Sequence, residues 1–236
     1  ALAAIALDEL DCDNSERFSA HVSYLIGWLD RRWGGKQRAW TPDFDYTIRG
    51  VPVSRDNPGL INSVFAAEAF WRRYCRTGED SLGKRIVATA ESLIYSLPIY
   101  EDGAVCCFSY NPSVKYYVHN ANLFMALLIA RASQLSKGFD HDNLVERCVE
   151  YTLRDFEKQG TFRYAGPPTP NDTVDNYHTG FVLRTLQLLI PYIQNPSLLE
   201  RCRSVVEQGI YFYTAAFINE RGVFKFEKGR GPIHAH

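Results

Sequence analysis

Asp175-Asn176-Tyr177-His178-Thr179-Gly180-Phe181-Val182-Leu183 opens with an acid, an amide, a phenol and an imidazole, then turns apolar. Polar residues directly before an apolar run mark a helix start, where a side-chain oxygen can cap unpaired backbone N–H groups. The stretch Tyr116-Tyr117-Val118-His119-Asn120-Ala121-Asn122 has the same form 58 residues earlier. Asn62 and His234 extend the series. Asn62, Asn120, His178 and His234 stand 58, 58 and 56 residues apart.

The first three of these starts each open a pair of helices. The first pair reads as 60–74, a turn at Thr77-Gly78-Glu79-Asp80, and a partner whose face is Leu82, Ile86, Val87, Ala90, Leu93 and Ile94. The second reads as 120–135, a turn at Lys137-Gly138, and 144–156; the third as 177–193, a turn at Asn195-Pro196, and 198–217. In each pair the first helix is apolar almost all round and the second is amphipathic. A helix apolar on every side is buried on every side, so the first helices form an inner layer and the second an outer one. The links repeat too: Gly103 to Ser109-Tyr110, Gly160-Thr161-Phe162-Arg163-Tyr164, and Gly222-Val223-Phe224-Lys225-Phe226 each place a glycine before a short aromatic run.

A period near 57 residues that holds two helices is the mark of stacked or closed helical hairpins. The expected fold is all-α: one α/α-toroid domain over residues 1–236. Its hairpin units run over about 1–33, 58–97, 119–158 and 175–218, with the short extended aromatic links on one rim. Residues 1–10 read as part of an inner helix. Asn14-Ser15 caps the next helix, whose face is Phe18, Val22, Leu25, Ile26, Leu29 and Trp33 before Gly34-Gly35 stops it. Residues 36–57 form a long polar and aromatic connection carrying Trp40, Phe44, Tyr46 and Arg49. Six such hairpins would close a ring, and both chain ends fall inside a unit, so an incomplete ring with some self-association is expected.

Composition excludes several classes. Net charge is −1 and no basic patch stands out, which argues against nucleic acid and anionic membranes as partners. No apolar run is long enough to span a bilayer. Six cysteines contain no C-x-x-C pair, and the six histidines show no H-x-x-x-H or H-E-x-x-H spacing, so no metal site is expected. A phosphate loop, a dinucleotide fingerprint and G-x-S-x-G are missing as well, and no cofactor is expected. Cys148 and Cys202 fall on apolar helical faces as reduced thiols, and with no secretory leader in the sequence a cytoplasmic location is expected.

In a helical toroid, the helix starts at the aromatic rim are where backbone donors face a ligand. Asp175 and His178 are read as a general acid/base pair, with Tyr110 as a third catalytic group. Asn120 and Asn122 offer amides to sugar hydroxyls, while Tyr164, Tyr177 and Trp40 offer aromatic faces and Arg163 suits a carboxylate. Each has a structural alternative: Asp175 as an N-cap, the asparagines as caps or ties between links, and the aromatics as packing.

Several of these blocks resemble six-hairpin (α/α-toroid) proteins associated with bacterial polysaccharide biosynthesis. The resemblance is carried by Tyr110-Asn111-Pro112, Val118-His119-Asn120-Ala121-Asn122-Leu123, Phe162-Arg163-Tyr164, Asp175-Asn176-Tyr177-His178-Thr179-Gly180-Phe181-Val182-Leu183 and Pro232-Ile233-His234-Ala235-His236. Phe162 departs from it, standing where a tryptophan is expected. The resemblance implies the toroid fold and an oligo- or polysaccharide partner. Hydrolase, lyase and epimerase chemistry all fit that setting, as does a non-catalytic glycan-binding or scaffold role. A toroid handling isoprenoids would need an acidic metal cluster or a D-x-D-D motif, which the sequence lacks.

Overall fold

The computed structural model describes residues 1–10, 18–34, 37–48, 50–139, 141–218, 225–227 and 230–232. The expected Asn14-Ser15 cap, Arg49, Gly222-Val223-Phe224, His234 and His236 lie outside the described residues. The described chain is mostly helical, with small two-stranded antiparallel sheets, two between helices and one after the last helix. Its packing divides into two compact units, one made of Ala1–Pro98, Tyr110–Lys115 and Arg131–Asp140, the other of Ile99–Ser109, Tyr116–Ala130 and His141–His236.

The first unit holds helices α1 (Leu2–Leu10), α2 (Ser19–Arg31), α3 (Leu60–Thr77) and α4 (Asp80–Ser96), with a hairpin of β1 (Tyr46–Ile48) and β2 (Val51–Val53). Within residues 1–10, Leu2–Leu10 are helical, and Ala1 stands just before the helix. Gly78 ends α3 at φ 68°, the left-handed conformation that glycine adopts without a Cβ penalty. Helix α1 is tied to α3 by Arg76 Nε–Asp8 Oδ1 at 2.9 Å and Arg72 Nη2–Glu9 Oε1 at 2.8 Å. Glu68 is buried between Arg72 and Arg131. Burial alone would raise its pKa, but hydrogen bonds and charge from the two guanidinium groups outweigh that and hold it low.

Trp40 also belongs to this unit. It is 4% exposed, stands edge-to-face on Phe70 at 5.2 Å, and donates its indole N–H to Leu29 O at 2.8 Å. The ring that the sequence suggested for a sugar face is therefore a core anchor, worth about 1.5–3 kcal/mol by burial alone. Tyr110, expected as a catalytic group, lies at the bend that leads into the Asn111–Val114 turn of this unit and is half-buried.

The second unit holds the hairpin β3 (Ile99–Asp102) and β4 (Val105–Phe108), most of α5 (His119–Leu135), then α6 (Asp142–Gln159), α7 (Asn176–Leu189) and α8 (Pro196–Phe217). Strands β5 (Lys225–Glu227) and β6 (Arg230–Pro232) form a further hairpin. Helix α5 is buried at every residue from His119 to Ala132, as its all-round apolar sequence demands. Helix α7 is less enclosed, with Tyr177, Arg184 and Gln187 exposed. A 3-10 turn, Ile190–Tyr192, finishes it where Pro191 denies the next helical N–H. Gly160 closes α6 in the left-handed region, and Asn195 caps α8 by accepting from Ser197 and Leu198 N–H. Gly209 lets α8 approach Leu183 and Phe162 more closely than any side chain would permit. Among the described residues no helix is long and apolar enough to cross a membrane.

Candidate functional site

The segment between α6 and α7 folds over the start of α5. Ala165 bridges to Val118 on one side and Asn171 on the other, and His119 N–H donates to Tyr164 O at 3.4 Å. The link expected to be extended is therefore bent. Phe162 turns into the core against Phe156, with ring centroids 4.5 Å apart. Arg163 turns to the buried carboxylate of Asp155. Tyr164 lies between Tyr116 at 5.8 Å and His178 at 4.3 Å.

Asp175 sits at the N-cap of α7 in extended conformation, as its polar type before an apolar run predicts. One carboxylate oxygen accepts the His178 backbone N–H at 2.8 Å, while the other faces His178 Nδ1 at 2.6 Å. A carboxylate only accepts, so Nδ1 carries the proton of this bond and Nε2 is the ring's basic position when it is neutral. Among the described residues none hydrogen-bonds to Nε2. Asp175 is 3% exposed and the His178 side chain 26% exposed. Tyr164 and Tyr177 meet the imidazole edge-to-face, and Tyr177 is itself 43% exposed. The cap of α7 and the partner of His178 are thus the same carboxylate, and the two readings of Asp175 do not exclude each other. Tyr213 packs over Gly180, and burial together with the Asp175 charge pushes its phenol up.

The asparagines at the start of α5 divide sharply. Asn122 is fully buried and fully used: its oxygen accepts from Phe108 N–H at 2.9 Å, and its amide donates to Cys106 O and Cys148 O, each at 3.2 Å. It ties β4 to α6 and has no group left for a sugar. Asn120 is 5% exposed, yet among the described residues its Oδ1 has no partner; the Thr179 hydroxyl, next to His178 and 1% exposed, also has none there. Buried polar atoms normally find a partner, because leaving one unpaired costs on the order of 1–3 kcal/mol.

Arg163 is held by the protein's own acids. Its fork spans Asp155, with Nε–Oδ2 at 3.0 Å, and its third nitrogen reaches Asp172 at 2.8 Å. It is not open to a substrate carboxylate in this arrangement, although the Asp172 side chain is 83% exposed. Asp155 also accepts from His119 Nε2 at 3.1 Å, and His119 Nδ1 lies 3.2 Å from Thr152 Oγ1. Burial would raise the Asp155 pKa, but the hydrogen bonds from His119 and Arg163 prevail and lower it. Gly166 makes room for this network. A Cβ there would stand 2.6 Å from the Tyr151 hydroxyl and 3.0 Å from His119 Nε2.

The structure therefore gathers Asp175, His178, Tyr164 and Tyr177 of the expected site, adds Tyr116 and Asn171, and assigns Asn122, Arg163 and Trp40 to internal bonding. The Tyr116 hydroxyl accepts from the Asn171 side-chain amide N–H at 3.1 Å. Sequence reasoning missed Asp155 and the role of His119. These are 36 residues apart on different helices, and no periodicity links them. Among the described residues no group of three or more His, Cys, Asp or Glu is gathered to hold a metal ion. No family model matches the chain, and no curated protein matches it.

Proposed function

We propose that the chain is a carbohydrate-related protein of polysaccharide biosynthesis or modification, acting on a glycan by acid/base chemistry at the start of α7. The observation that carries this reading is the partly exposed His178 imidazole, oriented through Nδ1 by a buried Asp175 and flanked by two tyrosine rings. A histidine fixed in this way offers Nε2 as a base, and its carboxylate stabilises the imidazolium once it is protonated. Tyr164 and Tyr177 supply phenols for the opposing acid and aromatic edges for the sugar face.

This chemistry favours proton abstraction, of the lyase or epimerase kind, over hydrolysis. Hydrolysis needs two carboxylates about 5–9.5 Å apart with access to the bond. Asp175 is buried beneath His178 and both its oxygens are engaged. The same full engagement of Asp175 favours the second reading, a non-catalytic glycan-binding protein. The repeated helical hairpins fit an α/α toroid, in which α5 and α7 would be inner helices starting at one rim; a cytoplasmic setting goes with that proposal.

The test is a screen of neutral and uronate-containing polysaccharides for new reducing ends, unsaturated uronate and uptake of solvent deuterium at sugar carbons. Deuterium uptake or unsaturated product supports proton abstraction. New reducing ends without unsaturation contradict it in favour of hydrolysis. Binding without any turnover supports the non-catalytic reading, and neither binding nor turnover across the panel removes the glycan assignment.

A further inference from the structure

Away from that site, β4 and α6 bring two thiols together. Cys106 Sγ and Cys148 Sγ are 3.5 Å apart, and both residues are fully buried. Neither is left to drift. The Asn122 amide nitrogen donates to the carbonyls of both Cys106 and Cys148, so one side chain of α5 clamps the two backbones that carry the thiols. Arg147 adds a second tie, donating to Val105 O at 3.3 Å and pairing with Glu101 at 2.8 Å. Cys107, adjacent in sequence, points elsewhere in the strand's alternation and packs with Val105, Tyr117 and Tyr151.

We propose that Cys106 and Cys148 form a peroxide-reactive pair that closes into a disulfide bond between β4 and α6. The Cys106 thiolate attacks one oxygen of hydrogen peroxide, the O–O bond breaks, and hydroxide leaves to be protonated to water; Cys106 becomes a sulfenic acid. Cys148 sulfur then attacks that sulfur, its proton and the sulfenic hydroxyl depart as a second water, and the S–S bond forms. Two thiols are oxidised by two electrons and one peroxide is reduced to two waters. The order of attack follows from the surroundings. The hydrogen bond from Cys148 holds the Cys106 thiol low, with help from Arg147, whereas burial pushes the Cys148 thiol well up. Burial of both sulfurs selects a water-sized oxidant over a bulky disulfide.

The consequence reaches α5. With the bond closed, β4, α6 and the Asn122 clamp become one covalent and hydrogen-bonded block directly behind the His119-Asn120 start of the helix. The proposal stands independently of the glycan assignment.

The test treats the folded, reduced full chain with hydrogen peroxide, blocks remaining thiols with N-ethylmaleimide, and maps tryptic peptides without reduction. Trypsin places Cys106 and Cys107 in peptide 86–115 and Cys148 in peptide 148–154, separate from the other cysteines. The expected result is a dithiothreitol-reversible link between these two peptides, present in Cys107→Ser and lost in Cys106→Ser. If a variant fails to fold, tandem mass spectrometry of the wild-type linked peptide decides the case, by placing the N-ethylmaleimide label on Cys107 and the link on Cys106. Linkage that forms only after unfolding in guanidinium, a link that runs through Cys107, or oxidation of Cys106 to sulfinic acid with no link would each overturn the proposal.

Discussion

Two histidine–aspartate pairs of the second unit, His119–Asp155 and His178–Asp175, do opposite things. His119 and Asp155 meet across two helices, deep in the unit, at 3.1 Å. His178 and Asp175 meet within one helical turn, at 2.6 Å, with the imidazole reaching the surface. The chemistry of the partners is the same; the surroundings differ. Asp155 is shared by His119 and Arg163, and His119 by Thr152, so that pair closes on itself. His178 has Nδ1 anchored by Asp175, and its ring meets two tyrosine rings edge-to-face. A pair whose hydrogen-bonding capacity is exhausted holds structure together, whereas one with a basic nitrogen left over at a surface can do chemistry. Residues 163–164 join the two: Arg163 secures the buried pair and Tyr164 touches the exposed one.

The largest effect on stability is expected at the buried pair. Asp155→Ala leaves Arg163 and His119 without their shared acceptor and should cost about 3–5 kcal/mol, read as a lowered urea midpoint. An Asp155→Ala chain within about 0.5 kcal/mol of wild type would mean that the buried network is not structural. Gly209→Ala drives a methyl into Leu183 and Phe162 at the α7–α8 contact and should cost about 1–3 kcal/mol. Asp175→Ala removes a cap and should cost about 1 kcal/mol, clearly less than Asp155→Ala in the same assay. If the two aspartates prove equal, the contrast drawn between them fails.

Acid sharpens the same contrast. The Asp155 pKa is lowered from its ordinary value of 3.8 in the folded chain. Its contribution to stability is therefore present above the unfolded-state value and is lost as pH falls through the lower folded-state value. Unfolding free energy should drop with acid in the window below about pH 4, and Asp155→Asn should flatten that slope. An unchanged acid slope in Asp155→Asn would show that other carboxylates carry it.

Helices were the most legible part of the chain. The 58-residue spacing, the turn residues Gly78 and Pro196, and the all-round apolar character of 120–135 located the helices, because burial and capping leave local marks. Tertiary partnerships leave none. Trp40 looks like any surface aromatic until Phe70 and Leu29 enclose it, and Arg163 looks available until Asp155, on α6, takes its fork. Asn120 and Asn122 are two residues apart in the same motif, yet one is saturated and the other is not. Only Asp175 and His178 were readable as a pair, since a cap and the third residue after it lie close in every helix start.

Turnover per folded molecule in His178→Ala tests the central claim most directly, using whichever glycan the polysaccharide screen identifies. The expected result is a urea midpoint near that of wild type with turnover reduced about 10²–10⁴-fold, the usual contribution of a positioned acid/base group. A His178→Ala chain that is equally stable and turns over that glycan at the wild-type rate would contradict the assignment of the His178–Asp175 pair as the site.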